Sequence, residues 1–359
     1  MHHMRAALAL GRRGQGLTWP NPAVGCVIVK EGRVIGRGWT QPGGRPHAEA
    51  VALAQAGIAA QGATVYVTLE PCAHHGQTPP CAEALVTAGA ARVVMACGDP
   101  DPRVAGRGVG ILRNAGITVE SGVMEAEATC DLAGFFRRVT AGRPELLLKL
   151  ATSFDGRIAT RSGQSRWITG PDARRMVHAM RARHDAVMIG AGTARADDPM
   201  LTVRDMGARR QPVRVVVSRR LDLPLHSRLG QTARDIPLWL IHGPEADTAT
   251  IARWQEAGAR LFACPADAGG LDMCAALNAL GEAGLTRVFC EGGGDLAASL
   301  LKADLVDRLA SFTAGLALGG DARAGVGALA LEALEDAPRF TLDEVRRVGS
   351  DALTLWRRA

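Results

Sequence analysis

Residues 46–86, PHAEAVALAQAGIAAQGATVYVTLEPCAHHGQTPPCAEALV, decide the reading of this chain. His47-Ala48-Glu49 stands where a helix, Ala48 to Ala56, begins. Pro71-Cys72 follows an apolar, β-branched strand, Ala63 to Leu69. Pro80-Cys81 opens a second helix, Cys81 to Ala88. One imidazole and two thiolates supply three of the four positions of a tetrahedral zinc ion and leave the fourth for water. The two thiolates also cancel the charge of the metal. Glu49, two residues beyond His47, can face that water without binding the metal, take its proton and pass it to a leaving amine.

His-x-Glu followed by Pro-Cys-x-x-Cys is the signature of zinc deaminases. Here eight residues, Ala73 to Pro80, separate the two cysteines. His74 and His75 lie in that stretch as alternative ligands. His47 is preferred because it carries Glu49 and opens a helix. The histidine pair is placed at the substrate entrance, with His74 as a substrate contact and His75 either there or solvated.

Outward from this stretch the chain alternates strand and helix, the pattern of an α/β layered protein. A helix at 4–14 precedes the turn Thr18-Trp19-Pro20-Asn21-Pro22, where two prolines forbid helix. Val24 to Lys30 and Arg33 to Gly38 are strands joined at Glu31-Gly32. Strands follow at Arg92 to Cys97 and Ile117 to Ser121, and helices at Gly110 to Ala115 and Ala126 to Arg138. Gly142-Arg143-Pro144 breaks the pattern, which gives domains at 1–143 and 144–359. Beyond the break, strands are expected from Leu146 and at Ala186 to Ile189, Val213 to Val217, Leu238 to Ile241, Arg287 to Cys290, Arg308 to Phe312 and Leu353 to Trp356. Helices are expected at Pro171 to Arg183, Ile251 to Ala257, Met273 to Ala283 and Asp295 to Ala303.

The length of 359 residues suits two domains. A net charge of +6 suits anionic small molecules, and the arginines are spread rather than gathered into a nucleic-acid-binding run. Aromatics at 4% argue against a stacking surface for single strands, so no nucleic-acid partner is expected. No apolar run is long enough to span a membrane. The start lacks a secretory signal, so the eight cysteines are expected in a reducing cytoplasm. A homo-oligomer is expected.

In the second half no Gly-x-Gly-x-x-Gly follows an early strand, so the Rossmann fingerprint is missing. The informative run is Arg287-Val288-Phe289-Cys290-Glu291-Gly292-Gly293-Gly294-Asp295-Leu296. A strand ends in three glycines and a helix begins, which suits either a tight turn or backbone N–H groups close to a phosphate.

The runs Thr18 to Gly25, Pro46 to Glu49, Glu70 to Cys81, Gly98 to Pro102 and Val104 to Gly108 together resemble the bifunctional riboflavin-biosynthesis deaminase/reductase family. Lys149 to Arg157, Ser165 to Gly170 and Gly192 to Arg204 continue the resemblance to the end of the chain. It implies an N-terminal cytidine-deaminase-like domain and a C-terminal dihydrofolate-reductase-like domain. By that resemblance His47, Cys72 and Cys81 hold one zinc ion, Glu49 shuttles protons, and Asn21 hydrogen-bonds the pyrimidine. NADPH contacts are implied at Ala151, Trp167, Thr193, Asp197, Ser218, Gly293 and Gly294. Substrate contacts are implied at Ser165, Arg181, Leu201, Arg204 and Glu291.

Arg181 and Arg204 could clamp a phosphate, Asp197 and Glu291 could bind sugar hydroxyls, and Lys149 could polarise or protonate the sugar. The implied substrates are phosphorylated pyrimidines. Two departures stand out. Gln77 occupies the position of the family's usual Lys or Arg, which removes a charge from phosphate binding unless Arg45 or Arg103 compensates. Phe154 replaces a usual leucine. The rival readings are a nucleic-acid base deaminase with an appended binding domain, a structural zinc module, and an enzyme with one degenerate domain.

Overall fold

The computed structural model describes residues 1–359 apart from 76–78, 208–209 and 268, so Gln77 lies outside the described residues. The chain divides into two compact units, Met1–Gly142 and Arg143–Ala359.

Unit 1 contains α1 (His2–Gly11), β1 (Gly25–Lys30), β2 (Arg33–Trp39), α2 (Ala48–Ala56), β3 (Thr64–Leu69), α3 (Cys81–Thr87), β4 (Arg92–Cys97), α4 (Arg107–Asn114), β5 (Thr118–Glu120) and α5 (Glu125–Ala141). Its five strands run in the order β2-β1-β3-β4-β5. β1 is antiparallel to both neighbours, whereas β3, β4 and β5 are parallel. Helix α2 is seated by two glycines of β2. A Cβ on Gly38 would lie 2.0 Å from the Ala48 carbonyl oxygen, and one on Gly36 would lie 2.3 Å from that of Ala52. Only glycine permits this approach, and it fixes the helix end that carries His47 and Glu49. The core combines Val27, Ile28, Val65, Val67, Val93 and Leu85 with the alanine face of α2.

Unit 2 contains β6 (Glu145–Ser153), β7 (Arg157–Ala159), α6 (Pro171–Ala182), β8 (Ala186–Gly190), α7 (Ala191–Asp197), β9 (Val213–Val217), α8 (Arg228–Gln231), β10 (Leu238–His242), α9 (Thr248–Glu256), β11 (Arg260–Ala263), β12 (Ala266–Asp267), β13 (Gly270–Leu271), α10 (Met273–Glu282), β14 (Arg287–Gly292), α11 (Gly294–Lys302), β15 (Arg308–Ala314), β16 (Arg323–Ala324), β17 (Phe340–Val348) and β18 (Asp351–Arg358). A nine-stranded sheet has the order β11-β10-β9-β8-β14-β6-β15-β18-β17. Its strands are parallel from β11 to β15, and the β17–β18 hairpin is antiparallel at one edge. The central strands are near-continuous apolar runs because both faces are covered.

Several expected bounds shift. The first helix ends at Gly11, and a tighter 3-10 turn continues through Arg12–Gly14. Helix α4 begins at Arg107, three residues before the expected Gly110. Strand β17 went unread because it is largely exposed and lacks the alternation that marks a half-buried strand.

The N-terminal edge of this sheet is tied by buried polar groups. Asp307 accepts two hydrogen bonds from Arg143, at 2.7 and 2.8 Å. Asp185 accepts the Thr286 and Arg287 N–H groups and the Thr286 hydroxyl. His184 donates from Nδ1 to the Met180 carbonyl at 2.7 Å and packs on Phe289. Burial, then the nearby Arg287 charge, pushes the His184 pKa down from 6.5 to about 3.

A depressed histidine leaves stability intact above pH 6.5 and removes it as the pH falls toward 3. Acidification from pH 7 to 5 should cost about 2 kcal/mol through this residue. Urea unfolding of wild type and His184→Gln at both pH values measures it. The variant should lose that much of the pH dependence, and an unchanged dependence would exclude His184 as its source.

Candidate active site

In unit 1 the site forms at the C-terminal ends of the parallel strands, where open α/β sheets bind ligands. His47 occupies the N-cap position of α2, Cys72 follows β3, and Cys81 is the first residue of α3. The His47 Nδ1 atom is 3.6 Å from Cys72 Sγ and 3.4 Å from Cys81 Sγ. The three ligand atoms all lie within 4.8 Å of one another. The Cys81 N–H donates to Cys72 Sγ at 3.3 Å. A hydrogen bond from Cys81 and another from His47 lower the Cys72 pKa to about 4, whereas the Cys72 contact and burial push Cys81 up. One imidazole and two sulfurs converging on one point are the donor set that suits zinc.

Glu49 lies in the first turn of α2 and is only 4% exposed. Burial, then the neighbouring Cys72 charge, raises its pKa to about 7. A buried carboxyl beside the cluster is a group that can accept and return a proton.

The remaining expected contacts of this unit are spread along the loops. Asn21 donates from Nδ2 to the Gly44 carbonyl at 3.1 Å. His74 Nδ1 is buried with no hydrogen-bond partner among the described residues. His75 lies 3.4 Å from Glu83 on the surface, in the solvated position. The Arg103 guanidinium is engaged by Asp101. Two acids carry more of the site than sequence reasoning assigned them. Glu70 is buried and accepts the N–H groups of Gly106 and Val109 at the start of α4. Asp99 is buried just beyond β4, and burial raises its pKa to about 6. The signal for Asp99 was the Asp-Pro-Asp-Pro run at the end of one strand, and for Glu70 the Glu-Pro-Cys run at the end of another.

In unit 2 several expected residues lie on or just beyond β6, β8, β9 and β14. Glu291 is the penultimate residue of β14 and is gripped by Arg181 from α6. Arg181 Nη2 donates to Glu291 Oε2 at 2.9 Å, and its Nε donates to Oε1. Lys149 Nζ stands 4.0 Å from the same carboxylate. Burial opposes ionisation of Glu291, but Arg181 and Lys149 outweigh it and hold its pKa below the usual range. Arg181 is therefore the partner of Glu291, and its Nη1 donates to the Thr202 carbonyl. Arg204 is exposed and makes no ion pair among the described residues. Leu201 is buried.

Thr193 donates its hydroxyl to the Gly292 carbonyl at 3.3 Å. A Cβ on Gly293 would stand 2.9 Å from Thr193 Oγ1, and one on Gly294 would stand 2.8 Å from the Ala324 carbonyl oxygen. Both glycines at the N-terminus of α11 are therefore required by the close approach of the protein's own atoms. Trp167 is 66% exposed, with the Arg174 guanidinium 4.6 Å from its ring centre. Ser165 is half-buried beside it. Arg166 donates to the Asp197 carbonyl at the end of α7. Ser218 is buried and donates to Asp222 at 3.0 Å. Ala151 lies on β6 opposite Phe312.

Comparison with known proteins matches both units. Residues 1–97 match the cytidine and deoxycytidylate deaminase zinc-binding region, and residues 144–354 match the RibD C-terminal domain. The riboflavin biosynthesis protein RibD of Escherichia coli K12 is 44% identical, over 98% of this chain and 97% of that protein. The chain belongs to the RibD family. RibD of Acinetobacter baumannii superposes with a TM-score of 0.90 at 40% identity, over 100% of this chain and 98% of that one. A diaminohydroxyphosphoribosylaminopyrimidine deaminase/5-amino-6-(5-phosphoribosylamino)uracil reductase from Thermotoga maritima does so at 0.87 and 34% identity, with the same coverage.

As a RibD protein the chain is a bifunctional deaminase and reductase of riboflavin biosynthesis. It pairs a zinc-binding deaminase region with an NADPH-dependent reductase domain. The expected fold class holds for both units. The second half is a RibD reductase domain, which displaces the reading of an appended nucleic-acid-binding domain. Among the described residues no helix is long and apolar enough to cross a membrane.

Proposed function

We propose that the first domain, 1–143, hydrolyses the exocyclic amine from 2,5-diamino-6-(5-phosphoribosylamino)pyrimidin-4(3H)-one. The second domain, 144–359, then reduces the ribosyl group of 5-amino-6-(5-phosphoribosylamino)uracil to ribityl. The observation that carries this reading is the buried Glu49 carboxyl beside the His47, Cys72 and Cys81 cluster. His47, Cys72 and Cys81 would hold zinc, which would supply Lewis-acid activation of water at neutral pH. Glu49 takes a proton from the attacking water and returns it to the departing nitrogen, so water oxygen replaces the amine and ammonia leaves. Asn21 and His74 orient the pyrimidine.

In the reductase, bound NADPH would supply a hydride to C1′ of the ribose. The C1′–O4′ bond breaks as the C1′–H bond forms, and the Lys149 ammonium gives a proton to the ring oxygen. Glu291 holds Lys149 in place and, with Ser165, binds sugar hydroxyls. Leu201, Arg181 and Arg204 border the phosphorylated end of the substrate. Thr193, Gly293, Gly294, Ala151, Trp167, Asp197 and Ser218 bind the dinucleotide along the strand ends.

The eight free cysteines, with Cys130 and Cys274 exposed, support a cytoplasmic site of action. The exposed Leu342 and Val345 on edge strand β17 support a homo-oligomer.

Zinc chelation tests the division of labour. Removing the metal should abolish ammonia release while NADPH oxidation on already deaminated substrate continues. Loss of both activities, or of neither, would contradict separate sites.

A further inference from the structure

The segment that carries Leu201 and Arg204 is irregular and strained. Asp198, Leu201 and Asp205 all adopt positive φ, at 40°, 55° and 59°. Non-glycine residues persist there only where the surroundings over-determine them, which is common at ligand clamps. Residues 198–204 belong to no helix or strand. Among the described residues one backbone–backbone hydrogen bond reaches them, from the Asp198 N–H to the Ala194 carbonyl.

Side chains do the rest. Gln211, just before β9, accepts the Val203 N–H on Oε1 at 2.7 Å and donates from Nε2 to the Val203 carbonyl at 3.2 Å. Its amide stands in for a neighbouring strand, satisfying both polar groups of one residue. His178, on α6 one turn before Arg181, accepts the Arg204 N–H on Nδ1 at 3.3 Å. Accepting there fixes the neutral imidazole with its proton on Nε2. Burial and the flanking Arg181 and Arg204 charges lower the His178 pKa and keep the ring neutral. Leu201 and Val203 are buried and anchor the strap from below. The exposed Arg204 side chain is thus carried by backbone that other side chains hold.

We propose that Gln211 and His178 are positioning residues of the reductase, which hold the Leu201–Arg204 strap so that Arg204 is presented to the substrate phosphate. The inference rests on the reading of Arg204 as a substrate contact. Neither residue needs to touch the substrate. Their effect comes from geometry, and a displacement of about 1 Å in a binding group can cost about a hundredfold.

The test is steady-state NADPH oxidation by the full chain with 5-amino-6-(5-phosphoribosylamino)uracil. The variants are Gln211→Ala, His178→Ala, His178→Gln, Arg204→Ala and the double variant Gln211→Ala/Arg204→Ala. Gln211→Ala should raise the substrate KM about tenfold or more, with the KM for NADPH unchanged. Arg204→Ala should raise it at least as far, and the double variant should be no worse than Arg204→Ala, because Gln211 acts through Arg204. His178→Gln, whose amide oxygen can accept the same N–H, should retain more affinity than His178→Ala. If Gln211→Ala fails to fold, the His178 pair decides.

A normal substrate KM in Gln211→Ala and His178→Ala beside a raised one in Arg204→Ala would overturn the positioning role and leave the substrate reading standing. Additive effects in the double variant would also overturn it. No change in Arg204→Ala would overturn the substrate reading and the positioning role with it.

Discussion

Glu49→Gln should slow ammonia release by about 10²–10⁴-fold, the usual contribution of a general acid/base. The reductase rate on deaminated substrate should not move. Glutamine nearly matches the carboxyl in shape, so the buried site keeps its packing while losing the group that exchanges protons. The position admits no solvent substitute, since Glu49 is buried against Cys72 and Cys81. Zinc content measured alongside separates this from metal loss: the variant should bind a full equivalent. A variant that still releases ammonia at the wild-type rate would remove Glu49 from the chemistry.

Glu291→Ala should be the most damaging change in the reductase unit. It strands the Arg181 guanidinium, whose side chain is 13% exposed, without its carboxylate. Breaking one partner out of a buried pair costs about 3–5 kcal/mol. Lys149 loses its neighbour at the same time, so activity should fall beyond what instability explains. Asp307→Ala is the control. It breaks a comparably buried pair, with Arg143, at the N-terminal rather than the C-terminal ends of the strands of the same sheet. Urea unfolding should show similar losses for both variants. NADPH oxidation under folding conditions should survive only in Asp307→Ala. Equal activities in the two folded variants would mean that Glu291 serves stability alone.

The zinc cluster was legible because each ligand sits at an element boundary that sequence marks plainly. His47 precedes an alanine-rich helix, Cys72 follows a β-branched strand and a proline, and Cys81 opens a helix after two prolines. The parallel strands of the second sheet were legible as short apolar runs for the same reason. Other features were not, and the causes are physical. Arg181 and Glu291 are 110 residues apart, and nothing local says that one neutralises the other. Arg181 therefore read as a phosphate cation, without the carboxylate that the fold sets beside it. Asp99 acquires its raised pKa from burial and from the carboxylates of Asp101 and Glu70 that the fold brings beside it. The strap at 198–204 has no period to read, because its order comes from the side chains of Gln211, His178 and Arg181 rather than from its own backbone.

The central claim is that one chain performs deamination and reduction in succession. It is tested most directly by giving the zinc-loaded enzyme 2,5-diamino-6-(5-phosphoribosylamino)pyrimidin-4(3H)-one and counting ammonia, then adding NADPH and following its oxidation. The account predicts one ammonia per substrate before any NADPH is present, then one NADPH consumed per ammonia released. NADPH oxidation without prior ammonia release, or ammonia release that leaves no substrate for the reductase, would contradict it.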